Sequence, residues 1–149
     1  MVCVLGCCPG GANQLCLSDS QQSPAGYSDG AKHGALLYGT EYENTGTLDG
    51  NHNADAACAV CMVKTQDAAV YVQWGRSTSC SNGHTTEYTG LVMANKWTQR
   101  KSEFICVDPE RTLHDTSTNI DDNGNLLYTT EAEDRAMPNT KCVSSFTAP

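Results

Sequence analysis

Side chains that carry oxygen ligands are concentrated in one short stretch of the chain. Two glutamates precede a loop, Asn44–Asp55, that is rich in Asp and Asn. Calcium takes about six to eight oxygen ligands from carboxylates, side-chain amides and backbone carbonyls. The candidate metal ligands are Glu41, Glu43, Asp49, Asn51, Asn53 and Asp55. A solvated surface loop can have the same composition, so a Ca²⁺ site and a plain polar loop both remain open.

The two glutamates belong to a segment, Gly34–Glu43, that we predict to be a β-strand. Alternate side chains of a strand share a face, so Glu41 and Glu43 lie opposite to Tyr42. Two carboxylates at this spacing are roughly 6.5–7 Å apart. They repel each other unless water or a cation intervenes. A solvated strand end and a cation site both satisfy this pattern.

The strand that carries the glutamates occurs twice in the chain. Gly34–Glu43 has the sequence G-A-L-L-Y-G-T-E-Y-E, and Gly124–Glu133, 90 residues later, has G-N-L-L-Y-T-T-E-A-E. Cys16 in L-C-L and Cys106 in I-C-V are separated by the same 90 residues. Two copies of one structural unit are the simplest explanation of this pattern.

The rest of the chain contains short alternating segments and polar loops, without helical periodicity or helix caps. Ala68–Trp74 is the clearest strand, and its alternation groups Trp74 with two valines on a face that fills the core. We predict a mainly β, disulfide-stabilised fold of two related antiparallel β lobes with long loops and little helix. The predicted boundaries are one domain over residues 1–149, with a first copy at about 10–65 and a second at about 68–149.

Composition limits the partners of the protein. The 149 residues have a net charge of −8, which argues against nucleic acids and anionic membranes because both favour Lys and Arg. No run of about 18 apolar residues is present, so membrane insertion is not expected. The chain lacks the G-x-S-x-G, H-E-x-x-H and phosphate-loop motifs, and we expect no enzyme activity. The paired glutamates alone do not indicate a glycoside hydrolase, since many such pairs meet its distance requirement.

Nine cysteines in 149 residues indicate an oxidising, extracellular setting and a secreted protein. The cysteines predicted to form disulfides are Cys16, Cys58, Cys61, Cys80, Cys106 and Cys142. The C-x-x-C motif at Cys58–Cys61 lacks the second pair that a zinc site needs, which favours disulfides there. An odd number leaves at least one cysteine free or bonded to another chain. The group Cys3, Cys7 and Cys8 is the best place for an interchain bond, so a homodimer is a hypothesis.

Aromatic side chains can provide a flat surface for a sugar ring. Trp97 lies in a polar segment, N-K-W-T-Q-R-K, and we expect it to be exposed. Tyr42 follows Glu41 directly and is a second candidate.

Five motifs together resemble the secreted short-chain collagen C4-like proteins of marine invertebrates. They are G-G-A-N-Q-L-C-L at 10–17, L-Y-G-T-E-Y-E at 37–43, A-C-A-V-C at 57–61, Y-V-Q-W-G-R-S-T at 71–78 and E-F-I-C-V-D at 103–108. The W-G-R block opens the first half in that family, whereas here it follows the first L-Y-G-T-E copy. Part of this group is similar to calcium-dependent, galactose-binding lectins of sea anemones.

The resemblance implies a Ca²⁺ ion that coordinates neighbouring sugar hydroxyls, an aromatic ring against the sugar, and a dimer with two sites. The hypothesis is therefore a secreted lectin for galactose-type glycans, with Ca²⁺ held by the candidate ligands named above. His52 would donate or accept a hydrogen bond, and Trp97 and Tyr42 would contact the sugar. The alternative is a structural module of extracellular matrix or mineral that binds no sugar.

Overall fold

The computed structural model describes residues 2–5, 12–18, 20, 22–23, 25–26, 37–43, 52–64, 69–81, 84–114, 124–136 and 140–146. Within them, the strands are β1 Val2–Leu5, β2 Gln14–Leu17, β3 Tyr38–Tyr42, β4 Ala54–Asp55, β5 Val70–Trp74, β6 Thr85–Ala94, β7 Ile105–Val107, β8 Asn125–Thr129 and β9 Lys141–Phe146. The helical structure in the described residues is one short 3-10 helix, Glu133–Arg135. The predicted mainly β fold is confirmed.

The described strands form a single sheet with the order β2-β1-β3-β8-β6-β9-β5, in which β4 also pairs with β3 and β7 with β6. Most neighbours are antiparallel, as we predicted. The sheet is nevertheless mixed, because β3 and β8 run parallel. Strands β2 and β5 are at the two ends of this order, so each has an edge without a neighbouring strand of the described sheet.

The pairing of the strands repeats along the chain. Strand β1 pairs with both β2 and β3, and β6 pairs in the same way with β7 and β8. Val4 lies opposite Gly39, and Met93 lies opposite Thr129. Met93 comes 89 residues after Val4, and Thr129 comes 90 residues after Gly39. The unit that recurs in the pairing thus includes β1, which begins before the boundary near residue 10 that we predicted for the first copy.

The two copies meet through the repeated strands themselves. In the parallel pair of β3 and β8, Thr40 lies opposite Asn125 and Tyr42 opposite Leu127, a separation of 85 residues. The sequence repeat has a separation of 90, so the pairing is displaced by five residues from the equivalent positions. An odd displacement moves side chains to the opposite face of a sheet. Equivalent residues, such as Tyr38 and Tyr128, therefore lie on opposite faces.

The core takes residues from both copies. Its buried members are Tyr42, Ala56, Met93, Val107 and Leu127. Met93 and Leu127 are among the largest side chains that are fully buried, and each such burial contributes about 1.5–3 kcal/mol. The copies are consequently joined by a shared core as well as by backbone hydrogen bonds.

Two disulfides cross-link the sheet. Cys16 of β2 is bonded to Cys58, and Cys106 of β7 is bonded to Cys142 of β9. Cys16 and Cys106, one in each bond, are the two cysteines that are 90 residues apart in the repeat. The prediction that these four cysteines form disulfides is confirmed.

The prediction was wrong for Cys61 and Cys80, which carry free thiols. Cys58 is bonded to Cys16 on β2, so the C-x-x-C spacing does not describe one bond, and Cys61 is exposed three residues further along. Cys80 is half-buried after β5. Of the cysteines predicted to link chains, Cys7 and Cys8 lie outside the described residues, and Cys3 lies opposite Cys16 in the β1–β2 register.

One glycine is required by close packing around the second disulfide. Gly90 of β6 lies opposite Cys142, and a methyl group added to it would be 2.5 Å from the Val107 carbonyl oxygen and 2.9 Å from Cys106 Sγ. Both neighbours are held in place, one by the backbone of β7 and the other by the disulfide. There is thus no room for a Cβ atom at position 90.

We expect Gly90→Ala to lower the free energy of unfolding by about 1–3 kcal/mol, because the added methyl group has to displace the backbone of β7. Gly39→Ala is the matched control, since a Cβ atom at that position would meet nothing within 4 Å. The measurement is urea unfolding followed by circular dichroism without reductant. Equal midpoints for the two variants would contradict the packing described around Gly90.

Thiol labelling of the native protein tests the cysteine assignments. We expect N-ethylmaleimide to modify the exposed Cys61 first and the half-buried Cys80 more slowly, because access limits the reaction. The four bonded cysteines should be modified only after reduction and unfolding. Peptide mapping of the monomer by mass spectrometry gives the rate at each site, and recovery of Cys61 in a disulfide bond within the monomer would refute the assignment.

Candidate functional site

Strands β3 and β4 bring several of the predicted ligands together. Glu41 lies directly opposite Asp55 in this antiparallel pair, so their side chains share a face. Glu43 follows two residues after Glu41, and its backbone N–H continues the sheet by donating to the Leu127 carbonyl at 2.9 Å. We call Glu41, Glu43 and Asp55 the carboxylate cluster.

His52 lies beside the carboxylate cluster. Its Nδ1 atom is 2.9 Å from a carboxylate oxygen of Glu43, and its side chain is more than half exposed. Asn53 comes next and has a left-handed backbone, with φ of 56°, which turns the chain into β4. The Asn53 N–H donates to the Tyr42 carbonyl at 3.0 Å. This short turn is what carries His52 back to the end of β3.

The two glutamates of the carboxylate cluster are buried, whereas a solvated strand end was one of our two predictions for them. Glu41 is 1% exposed and Glu43 is also buried, because β3 is an inner strand with β1, β4 and β8 as neighbours. Like charges at opposed positions of paired strands are destabilising. The cluster therefore brings three acidic residues to neighbouring positions, two of them buried.

Tyr42 cannot offer its ring to a sugar in this structure, contrary to our expectation. The side chain is 4% exposed and belongs to the core. The guanidinium of Arg111 lies over the ring, 4.8 Å from its centre. Tyr42 thus has a structural role, and the cation–π contact occupies one face of the ring that we predicted to contact the sugar.

Three candidates remain, of which the structure describes only Trp97. Asp49 and Asn51 lie outside the described residues. Trp97 is 89% exposed in the turn after β6, which agrees with the exposure that we expected. Among the described residues, no group of three or more His, Cys, Asp and Glu side chains is arranged to hold a metal ion. The carboxylate cluster would thus need further oxygen ligands to complete a Ca²⁺ site.

Two tyrosines report the electrostatic surroundings. Burial raises the pKa of Tyr128, and the nearby negative charge of Glu43 raises this pKa further. Burial likewise raises the pKa of Tyr88, against the lowering effect of a hydrogen bond with Ser144, and Asp108 adds to the rise. The hydroxyl of Tyr88 donates to the Cys106 carbonyl at 2.7 Å. The charge of Glu43 is therefore close enough to β8 to affect Tyr128.

A cavity of about 480 Å³ lies where the two copies meet. One wall is formed by residues 56–59 and another by residues 105–108 and 110–112, with Tyr42 and Leu127 also lining it. Sequence reasoning did not select Arg111, which contacts Tyr42 across this cavity. A lone arginine in a polar segment gives no signal of a stacking contact.

A second cavity of about 410 Å³ is formed by Trp74, Phe104 and the segment that follows β8. Trp74 is 44% exposed, so our assignment of this residue to the core was wrong. The strand itself was correctly predicted. However, β5 is an edge strand, and the face that carries Trp74 is only partly covered.

Comparison of the chain with protein-family models, curated proteins and solved structures found no match. Within the described part of the chain, no helix has the length and apolar character needed to cross a membrane. The functional assignment therefore depends on the residues and their geometry.

The proximity of Glu43 to Tyr128 can be measured. We expect Glu43→Gln to lower the pKa of Tyr128 toward its ordinary value, because the substitution removes the negative charge that opposes formation of the tyrosinate. The pKa can be followed by NMR titration of ring-¹³C-labelled tyrosine. Glu87→Gln, at an exposed position of β6, is the control and should leave this pKa unchanged. An unchanged pKa in both variants would place Glu43 too far from Tyr128.

Proposed function

We propose that this protein is a secreted carbohydrate-binding protein that uses Ca²⁺ to bind galactose-type glycans, without catalysis. The observation that carries the proposal is the position of Glu41 and Asp55, directly opposite each other beside Glu43. Carboxylate oxygens are the ligands that Ca²⁺ prefers, so this cluster would contribute part of the coordination of the ion. The net charge of −8 and the two disulfides are compatible with an extracellular, calcium-containing setting.

The acidic residues would have different roles in binding the ion. Glu43 lies beside His52 and Asp55 lies opposite Glu41, and Glu43 and Asp55 would bind the ion together with Asp49, Asn51 and Asn53. Glu41 is the most deeply buried carboxylate and would contribute charge behind them. When bound, Ca²⁺ can coordinate two neighbouring hydroxyls of a sugar.

Two exposed side chains are the candidates for contacts with the rest of the sugar. His52 is exposed and held by Glu43, so it can form a hydrogen bond with a sugar hydroxyl. Trp97 is exposed and offers a ring for the apolar face of the sugar. Tyr42 is omitted, because the core and Arg111 cover its ring. The resemblance to calcium-dependent, galactose-binding lectins is the reason for naming galactosides.

A structural extracellular module is the second candidate function, and one observation favours it. The free thiol of Cys61 is exposed between two exposed apolar residues, Val60 and Met62. An exposed thiol in an oxidising setting can form disulfides between chains. Such a module would bind Ca²⁺ weakly through its acidic groups and would bind no sugar.

Affinity chromatography on immobilised lactose tests the proposed function. We expect retention in millimolar Ca²⁺ and elution by chelator. Glu43→Gln and Asp55→Asn should each weaken Ca²⁺ binding by about tenfold or more, because each removes a carboxylate from the cluster. Isothermal titration with Ca²⁺ measures this loss. Glu87→Gln is the matched control and should bind Ca²⁺ like the unmodified protein.

The possible outcomes separate the two candidate functions. Retention that survives chelator would remove Ca²⁺ from the proposal, and absence of binding to every sugar of a glycan array would remove the lectin. Weak Ca²⁺ binding without sugar binding, together with covalent oligomers on non-reducing gels, would favour the structural module. Circular dichroism of each variant shows whether a loss of binding reflects a loss of folding.

A further inference from the structure

Strand β5, Val70–Trp74, lies at one end of the described sheet and pairs there with β9. The Gly75 N–H continues this pairing by donating to the Lys141 carbonyl at 2.8 Å. Hydrogen-bonded and non-hydrogen-bonded pairs alternate along an antiparallel ladder, so the backbones of Tyr71 and Gln73 also face β9. The residues whose backbone N–H and C=O groups face away from β9 are Val70, Val72 and Trp74.

These outward-facing backbone groups form an open sheet edge. Within the described part of the chain, the three N–H and three C=O groups have no hydrogen-bond partner. None of the five residues of β5 is buried. The edge at β2 is different, because the Gln14 N–H donates to the Glu103 carboxylate and the Glu103 N–H donates to the Ala12 carbonyl. Strand β5 thus presents an open edge, whereas β2 is covered at this point.

The sequence of β5 lacks the features that block an exposed edge. Proteins protect such edges with charged residues, prolines, bulges or a covering segment, because an open edge pairs readily with another strand. Strand β5, V-Y-V-Q-W, contains no charged residue and no proline, and its register with β9 has no bulge. Residues 68–86 contain no Asp or Glu, although the chain has 17. This segment therefore adds no negative charge to a contact between two copies of the chain.

The exposed apolar side chains of β5 fit a second copy of the same strand. Val70 is 62% exposed and Trp74 is 44% exposed, and both share a face of the strand with Val72. Antiparallel pairing about a twofold axis at Val72 would place Val70 of each copy opposite Trp74 of the other. Cross-strand pairs of aromatic and β-branched side chains stabilise a sheet. The pairing would also remove from water apolar surface that a single copy exposes.

We propose that β5 is a dimerisation edge, at which two copies of this chain pair antiparallel about a twofold axis at Val72. In this register Val72 pairs with Val72, and Val70 pairs with Trp74 at both ends. Three pairs with two bonds each give six hydrogen bonds, which use every outward-facing group of the strand. A twofold register centred one residue away would leave some of these groups unpaired. The dimer depends on neither Ca²⁺ nor a sugar, so it can be tested separately from the proposed function.

Sedimentation velocity measures the association. Five residues a side are fewer than the roughly 20–30 residues of a standard interface, so we expect a dissociation constant on the order of 10–100 µM. Added salt should tighten the dimer, because it screens the repulsion between two copies that each carry a charge of −8. Free thiols are first blocked with N-ethylmaleimide, which excludes covalent dimers. A protein that is monomeric up to about 1 mM would overturn the inference.

Amide hydrogen exchange locates the contact within the strand. At low protein concentration the N–H groups of Val72 and Trp74 should exchange fast, whereas β9 protects those of Tyr71 and Gln73. At concentrations that favour the dimer, exchange at Val72 and Trp74 should slow by about fivefold or more, with little change at Tyr71 and Gln73. Protection gained elsewhere in the chain, without any at Val72, would place the contact on another surface and contradict the proposal.

Val72→Pro tests the hydrogen bonds of the edge. The substitution removes an outward-facing N–H and leaves the β5–β9 ladder in place, because proline is tolerated at such positions of an edge strand. It removes two bonds from the dimer and should raise the dissociation constant by about tenfold or more. Circular dichroism shows whether the variant is folded. A folded variant that dimerises like the unmodified protein would refute the proposal.

Val72→Lys and Val72→Glu test the register, because the residue at the twofold axis lies opposite itself. Each variant alone places two like charges opposite each other and should be monomeric. An equimolar mixture pairs Lys with Glu and should restore the dimer. Val60→Lys and Val60→Glu, at a valine that is 72% exposed outside β5, are the matched controls and should dimerise like the unmodified protein. A mixture of the two Val72 variants that stays monomeric would overturn the pairing at Val72.

Discussion

The parallel pairing of β3 with β8 determines how the two copies are combined. The N–H of Glu43 donates to the Leu127 carbonyl at 2.9 Å, and the amide of Asn125 donates to the Thr40 hydroxyl at 3.1 Å. Both bonds cross from one copy to the other. The same register brings Tyr42 beside Leu127, and these side chains enter the common core. A shift of one strand by one residue would turn its side chains to the other face and therefore change the composition of this core.

This register explains why a duplicated sequence does not produce duplicated sites. The pairing is displaced by five residues from the sequence repeat, so equivalent side chains of the two strands point to opposite faces. In the first copy, β3 continues through Glu41, which is buried. In the second copy, β8 ends at Thr129, and Glu131 is exposed after the strand. Similar glutamates are consequently placed in very different dielectric environments.

The two copies also differ in the position of their disulfides and in their distance from the edge of the sheet. The two disulfides begin at equivalent cysteines, Cys16 and Cys106, but their second cysteines differ in position. Cys58 lies outside the strands, whereas Cys142 belongs to β9. Strand β9 lies between β6 and the edge strand β5, which carries Trp74. The second copy therefore has an aromatic cleft at the sheet edge, and the first copy has its acidic groups inside the sheet.

The amino-acid sequence alone determined the features that depend on near neighbours: the alternation of strands, the 90-residue repeat, the concentration of acidic residues and the exposure of Trp97 in a polar turn. The tertiary structure decided the burial of Glu41 and Tyr42, the free thiol of Cys61 and the exposure of Trp74. Alternation shows which side chains share a face, but not whether another strand covers that face. Whether a strand lies at the centre or the edge of a sheet depends on contacts between residues far apart in the chain, and these contacts exist only in the folded protein.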